Sequence, residues 1–165
     1  MMLVITMVAG LGVTEVKADD AVTTVSSWNE LKNAISKGGN IQLGNDIVAE
    51  TGDYSFNVNK NVTIDLNGYK IDRNLNEQQD NVFSVIAGGT LIIKRLRSEG
   101  QNGKITGGWA NEDYAGGINV REGTLILESG NIVGNRSNRT FTKRGGGVAV
   151  FYNGTFIMRG GKIQE

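Results

Sequence analysis

The chain contains no cysteine, no proline and no histidine in 165 residues. Without cysteine there is no disulfide framework. Without cysteine and histidine together there is no Cys/His zinc site, no Ser-His-Asp or Cys-His arrangement and no imidazole to act as general base. A surplus of charge is missing too, since 17 basic residues offset 17 acidic ones. No overall field draws the chain to nucleic acid or to an anionic membrane surface, so nucleic acid is not an expected partner. What is plentiful is glycine, with 24 residues, and asparagine, with 18. Glycine at about twice its usual frequency, without the strict period of collagen, points to many tight corners and close backbone approaches. The length suits one domain or part of one.

Met1 to Gly12 is an apolar run too short to span a bilayer, and it leads into Val16-Lys17-Ala18 and then Asp19-Asp20. That order reads as the apolar core and small-residue cleavage site of a secretory signal over residues 1–18, although no Lys or Arg precedes it. The competing reading is a buried N-terminal strand or helix. No second apolar stretch is long enough for a membrane anchor, so no membrane insertion is expected once a signal is cleaved. The expected location is extracellular, with any wall anchor lying beyond residue 165.

Residues 19–48 read as an N-terminal cap. Ser27-Trp28-Asn29-Glu30 carries the N-cap and third-position Glu of a capping box, with Trp28, Leu31, Ala34 and Ile35 at helical spacing before Gly38-Gly39. This predicts one amphipathic helix over about 27–37. Ile41-Gln42-Leu43 and Asp46-Ile47-Val48 then begin a period of two. From residue 49 to 165 a unit recurs, anchored by Gly89-Thr90-Leu91-Ile92-Ile93, Gly123-Thr124-Leu125-Ile126-Leu127 and Gly154-Thr155-Phe156-Ile157-Met158, with Val62-Thr63-Ile64-Asp65-Leu66 as a degenerate earlier copy. Phe56-Asn57-Val58, Phe83-Ser84-Val85, Ile118-Asn119-Val120 and Val148-Ala149-Val150 precede the anchors. Lys70-Ile71, Lys104-Ile105, Asn131-Ile132 and Lys162-Ile163 follow them. Anchor spacing is 27, 34 and 31, the middle value including an insertion of 7 between Lys94 and Gly103.

A period in this range signals a solenoid, and short strands without intervening helices select a β-helix over helical repeats. The expected fold is therefore all-β: a right-handed parallel β-helix solenoid with three short strands per coil and one N-terminal capping α-helix. Four coils at roughly 4.8 Å each give a rod about 19 Å long with open sheet edges. The last repeat stops mid-coil, so the natural protein is expected to continue. A β-sandwich is the alternative; it accommodates the turn residues but not the aligned strand positions.

Gly145-Gly146-Gly147-Val148-Ala149-Val150, with Gly154-Thr155-Phe156-Ile157-Met158-Arg159-Gly160-Gly161-Lys162-Ile163, resembles the repeats of right-handed parallel β-helix proteins of the pectin-lyase-like superfamily. It is most similar to the Gly-rich repeats of adhesin-like bacterial surface proteins. Trp28 to Ile47 and Asp65-Leu66-Asn67-Gly68 resemble the opening of that superfamily. The resemblance covers most of residues 22–165. It implies a fold more than a function, because lyases, hydrolases and adhesins share it.

Lyases of that superfamily gather carboxylates around Ca²⁺ on one sheet. Here the outward anchor positions read Asp65, Ile92, Ile126 and Ile157, which is no calcium site. The outward positions of the preceding strand, Asn57, Ser84, Asn119 and Ala149, offer no acids either. The close acid pairs, Asp19-Asp20 and Glu112-Asp113, lie in loops. No catalytic constellation, metal site or cofactor is expected in these residues. Ile92, Ile126 and Ile157 form an outward apolar ladder, read either as β-propensity with stacking or as a contact strip for another domain or chain. A second contact of that kind is the open coil end.

The long loops at one corner bring Trp109, Tyr114 and Phe141 together with Glu112, Asp113, Arg136, Arg139, Lys143 and Arg144. Aromatic faces ringed by polar groups suit sugar rings. The bland reading is acid-to-base pairing between loops. The expectation is the N-terminal part of a secreted or cell-surface adhesin-like scaffold contacting polysaccharide or host-surface glycan, more plausibly a non-enzyme. The alternative is the beginning of a polysaccharide lyase or glycoside hydrolase whose catalytic coils are missing.

Overall fold

The computed structural model describes residues 21–95, 103–111, 114–138 and 145–164. The proposed signal at 1–18 lies outside the described residues. The chain opens with β1 (Val22–Val25) and α1 (Trp28–Lys37). Ser27 Oγ accepts from the Glu30 N–H at 3.3 Å, and Glu30 Oε2 accepts from the Ser26 N–H at 2.7 Å. Two donors at the helix start are thereby satisfied. Trp28, Leu31, Ala34 and Ile35 form the buried stripe, and Gly38 at φ 83° ends the helix by donating its N–H to the Ala34 and Ile35 carbonyls.

Strands follow as β2 (Gly39–Leu43), β3 (Ile47–Val48), β4 (Phe56–Val58), β5 (Asn61–Asp65), β6 (Lys70–Asp72), β7 (Phe83–Val85), β8 (Thr90–Lys94) and β9 (Lys104–Thr106). Then come β10 (Trp109–Asn111), β11 (Ile118–Arg121), β12 (Thr124–Leu127), β13 (Asn131–Val133), β14 (Arg136–Asn138), β15 (Val148–Phe151), β16 (Thr155–Met158) and β17 (Lys162–Gln164). Hydrogen bonds gather them into a six-stranded sheet (β1-β2-β5-β8-β12-β16), a five-stranded sheet (β3-β6-β9-β13-β17), a four-stranded sheet (β4-β7-β11-β15) and a two-stranded sheet (β10-β14). The pairings are parallel, each strand meeting its equivalent in the next repeat.

This corrects the expected fold class. The chain is strand-rich with one helix, but among the described residues its strands form several separate parallel sheets and not a closed solenoid of three strands per coil. The pairing explains why: backbone groups are satisfied along each sheet from repeat to repeat, and the ladder stops where the chain turns toward another sheet. Asn67 (φ 46°), Gly68 (φ 86°), Gly130 (φ 93°) and Gly134 (φ 65°) occupy such turns in left-handed conformations that end an extended strand. The repeats are also unequal, because β10 and β14 add a fourth strand to two of them.

The register within the first anchor also differs from the expected one. Thr63 pairs with Ile92, and Asn61 pairs with Thr90, so Asp65 lies beside Lys94 and not in the isoleucine row. The slip is two residues, which leaves the inward and outward faces unchanged. Inward rows therefore remain apolar: Phe56, Phe83, Ile118 and Val148 in the four-stranded sheet, Val62, Leu91, Leu125 and Phe156 in the six-stranded, and Ile71, Ile105, Ile132 and Ile163 in the five-stranded. These rows, apart from Ile163 in the last strand, meet the stripe of α1 in one core, with Val148 and Phe156 packed against it partly buried. Trp28 stacks on Phe56 with centroids 4.2 Å apart, and Phe56 meets Phe83 at 5.1 Å. At β15, β16 and β17 the equivalent residues Val150, Met158 and Ile163 are exposed. No helix among the described residues is long and apolar enough to cross a membrane.

Candidate functional site

Along the four-stranded sheet the alternation that buries Phe83 and Val85 turns the middle residue of each strand outward. Asn57, Ser84, Asn119 and Ala149 pair in register and form one row across the sheet. A groove of about 400 Å³ runs over Asn57, Ser84 and Asn119 of this row, walled by Tyr114 and Phe151 and lined further by Asp80, Asn81 and Arg121. That volume lies within the range of small-ligand sites.

The floor is organised by hydrogen bonds. Asp80 Oδ2 accepts from the Ser55 N–H at 3.1 Å, and Asp80 Oδ1 accepts from the Asn81 N–H at 2.8 Å. Asn81 Nδ2 donates to Ser84 Oγ at 3.0 Å. Asn119 accepts from the Ala115 N–H at 2.8 Å and donates to the Ala115 carbonyl at 2.9 Å, which pins the segment carrying Tyr114 against the sheet. Fixed polar groups of this kind lose little entropy when a ligand arrives. Beneath them Arg73 is buried, donates to the Asp53 carbonyl at 2.6 Å and sits 4.0 Å from Asp80. The wall is aromatic: Tyr114 and Phe151 have centroids 5.4 Å apart at 55°. Arg121 lies 4.9 Å over the Tyr152 ring, which orients its guanidinium at the rim.

The residues expected at the glycan-contact corner separate into two places. Trp109 pairs with Arg136 across β10 and β14, and the guanidinium covers the indole at 5.0 Å. Tyr114 stands apart from them in the groove against Phe151, tied to β14 by the Ser137 hydroxyl, which donates to its carbonyl at 2.9 Å. Glu112, Asp113, Arg139, Phe141 and Arg144 lie outside the described residues, as does Lys143. The ladder of Ile92, Ile126 and Ile157 is in register on the outer face of the six-stranded sheet, half-buried for the first two and 38% exposed for Ile157. Asn57, Ser84, Asn81, Asp80, Arg121 and Phe151 were not among the expected site residues. The signal for them was the polar centre of Phe-Asn-Val, Phe-Ser-Val and Ile-Asn-Val, a row legible as outward but not as the floor of a groove.

Among the described residues, Asp80 is the one carboxylate lining the groove. No group of three or more Asp or Glu side chains placed to hold a metal ion occurs among the described residues. Comparisons with family models, characterised proteins and solved structures return no match for this chain.

Proposed function

We propose that this chain is an exported, adhesin-like scaffold that contacts carbohydrate in the groove of its four-stranded sheet. The observation that carries the reading is the groove itself: an in-register row of amide and hydroxyl groups beside an aromatic wall. Sugars present both chemistries, with C–H faces that lie on rings and hydroxyls that need directed partners. Among the described residues the groove offers one carboxylate, Asp80, whose oxygens accept from the Ser55 and Asn81 N–H groups, an arrangement that orients a ligand, whereas glycoside hydrolysis uses two acids about 5 to 9.5 Å apart. Export is supported by the apolar run at Met1 to Gly12 and the Val16-Lys17-Ala18 site. The Gly-rich repeats resemble those of bacterial surface adhesins, which is consistent with display outside the cell.

A glycan array tests the binding. Wild-type protein is expected to retain a defined set of oligosaccharides that Tyr114→Ala and Arg121→Ala lose, while Trp109→Ala keeps them. Binding unchanged in Tyr114→Ala and Arg121→Ala overturns the reading. Export is checked by N-terminal sequencing of secreted material, where a mature chain still starting at Met1 contradicts cleavage.

A further inference from the structure

Among the described residues, two charged side chains line the groove, Asp80 and Arg121. Asp80 is compensated where it stands. Its oxygens accept from the Ser55 and Asn81 N–H groups, and the guanidinium of the buried Arg73 lies 4.0 Å away. Arg121 is exposed and forms no ion pair among the described residues; its guanidinium lies 4.9 Å over the Tyr152 ring. A guanidinium held by its face keeps its in-plane N–H donors for a ligand. The lining is thus left with one uncompensated positive charge.

Strand register places that charge. Phe56, Phe83 and Ile118 share one row; Ser55 precedes the row by one residue and Arg121 follows it by three. At about 3.3 Å per residue, the Asp80 end and the Arg121 end lie roughly 13 Å apart along the strands. Arg121 pairs with Phe151 in β15, so the cation stands beside the aromatic wall. We infer that the carbohydrate bound in this groove carries an anionic substituent, a sulfate ester or a carboxylate, seated at Arg121 beside Phe151. The inference rests on the proposed carbohydrate binding and adds the ligand's charge and its direction. Hydroxyl-bearing rings lie over Asn57, Ser84 and Asn119, with the acidic group toward the ends of β11 and β15. Both anionic groups accept two parallel N–H bonds from a guanidinium, and such charge-assisted bonds are about twice as strong as neutral ones. A neutral sugar leaves the cation to water and gains nothing from its charge.

Isothermal titration calorimetry with three oligosaccharides of matched length, one neutral, one carboxylated and one sulfated, tests it. Wild-type protein is expected to bind at least one anionic sugar about tenfold more tightly than the neutral one at low salt. That margin is expected to shrink as salt is raised to about 0.5 M. The anionic sugar that gains identifies the group. In Arg121→Gln the preference is expected to vanish. Arg159→Gln removes the same charge outside the groove, where Arg159 pairs with Glu128 at 3.1 Å, and is expected to keep the preference. A neutral sugar bound as tightly as the anionic ones by wild type, or a preference that survives in Arg121→Gln, overturns this inference and leaves carbohydrate binding standing. No binding of any of the three sugars overturns both. Circular dichroism establishes that Arg121→Gln is folded; should it fail to fold, the salt series on wild type decides, and a preference indifferent to salt overturns the inference.

Discussion

Replacing Asn135 with alanine removes three hydrogen bonds at once from a side chain with 0% exposure. Its Oδ1 accepts from the Gly108 N–H at 3.1 Å, and its Nδ2 donates to the carbonyls of Ile105 at 3.0 Å and Val133 at 3.3 Å. The side chain thereby ties the end of β13 to the segment joining β9 to β10 in the preceding repeat, where the extra two-stranded sheet branches off. In Asn135→Ala the buried Gly108 N–H has lost its acceptor, at a cost of about 1–3 kcal/mol, and the lost donors to two carbonyls add roughly another 1 kcal/mol. A total of about 2–4 kcal/mol is a large part of the roughly 5–15 kcal/mol that holds a domain folded. Urea unfolding followed by the fluorescence of Trp28 and Trp109 reads the change. With a slope of about 1.5 kcal/mol per molar urea, the midpoint is expected to fall by roughly 1.5–2.5 M. Asn153→Ala, at an exposed turn, is the control and is expected to stay within about 0.5 kcal/mol of wild type. A drop for Asn135→Ala no larger than the control's would refute the reasoning that this side chain is the junction between repeats.

Other substitutions probe other parts of the same structure. Ser27→Ala removes the cap of α1 and is expected to cost about 1 kcal/mol in denaturant unfolding. Phe83→Ala opens a cavity against Phe56 in the core and is expected to cost about 3–5 kcal/mol. A Cβ at Gly117 would run into the Gly147 carbonyl oxygen, whereas one at Gly145 meets nothing within 4 Å. Gly117→Ala should therefore unfold at clearly lower temperature than wild type, and Gly145→Ala close to it.

Some of this was readable from the residues. Ser27 and Glu30 mark a helix start because capping is local chemistry, and the helix begins at Trp28. The centre of Phe-Asn-Val or Phe-Ser-Val faces out because strands alternate, whatever sheet they join. Pairing is not local. Asn61 carries no Gly-Thr signal, so the sequence pattern puts the first anchor two residues late, and parity alone does not detect a slip that keeps the faces. Whether repeated strands close into one solenoid or gather into separate sheets depends on where hydrogen bonds run between repeats, which an alternating pattern leaves undetermined. The groove is illegible in the sequence for a related reason. Tyr114 comes from a loop and Phe151 from the end of a strand that reads as plain apolar Val-Ala-Val-Phe, and only the pairing of β11 with β15 brings them to the polar row.

The most direct test of the central claim is an NMR titration that locates bound sugar on the surface. Neutral and uronic-acid oligosaccharides are added in turn at millimolar concentration to isotope-labelled protein. At least one of them is expected to shift the side-chain amides of Asn57 and Asn81 and the ring signals of Tyr114 and Phe151, leaving Trp109 and Arg136 unmoved. Shifts confined to residues outside the groove, or none with any sugar tested, would contradict that claim.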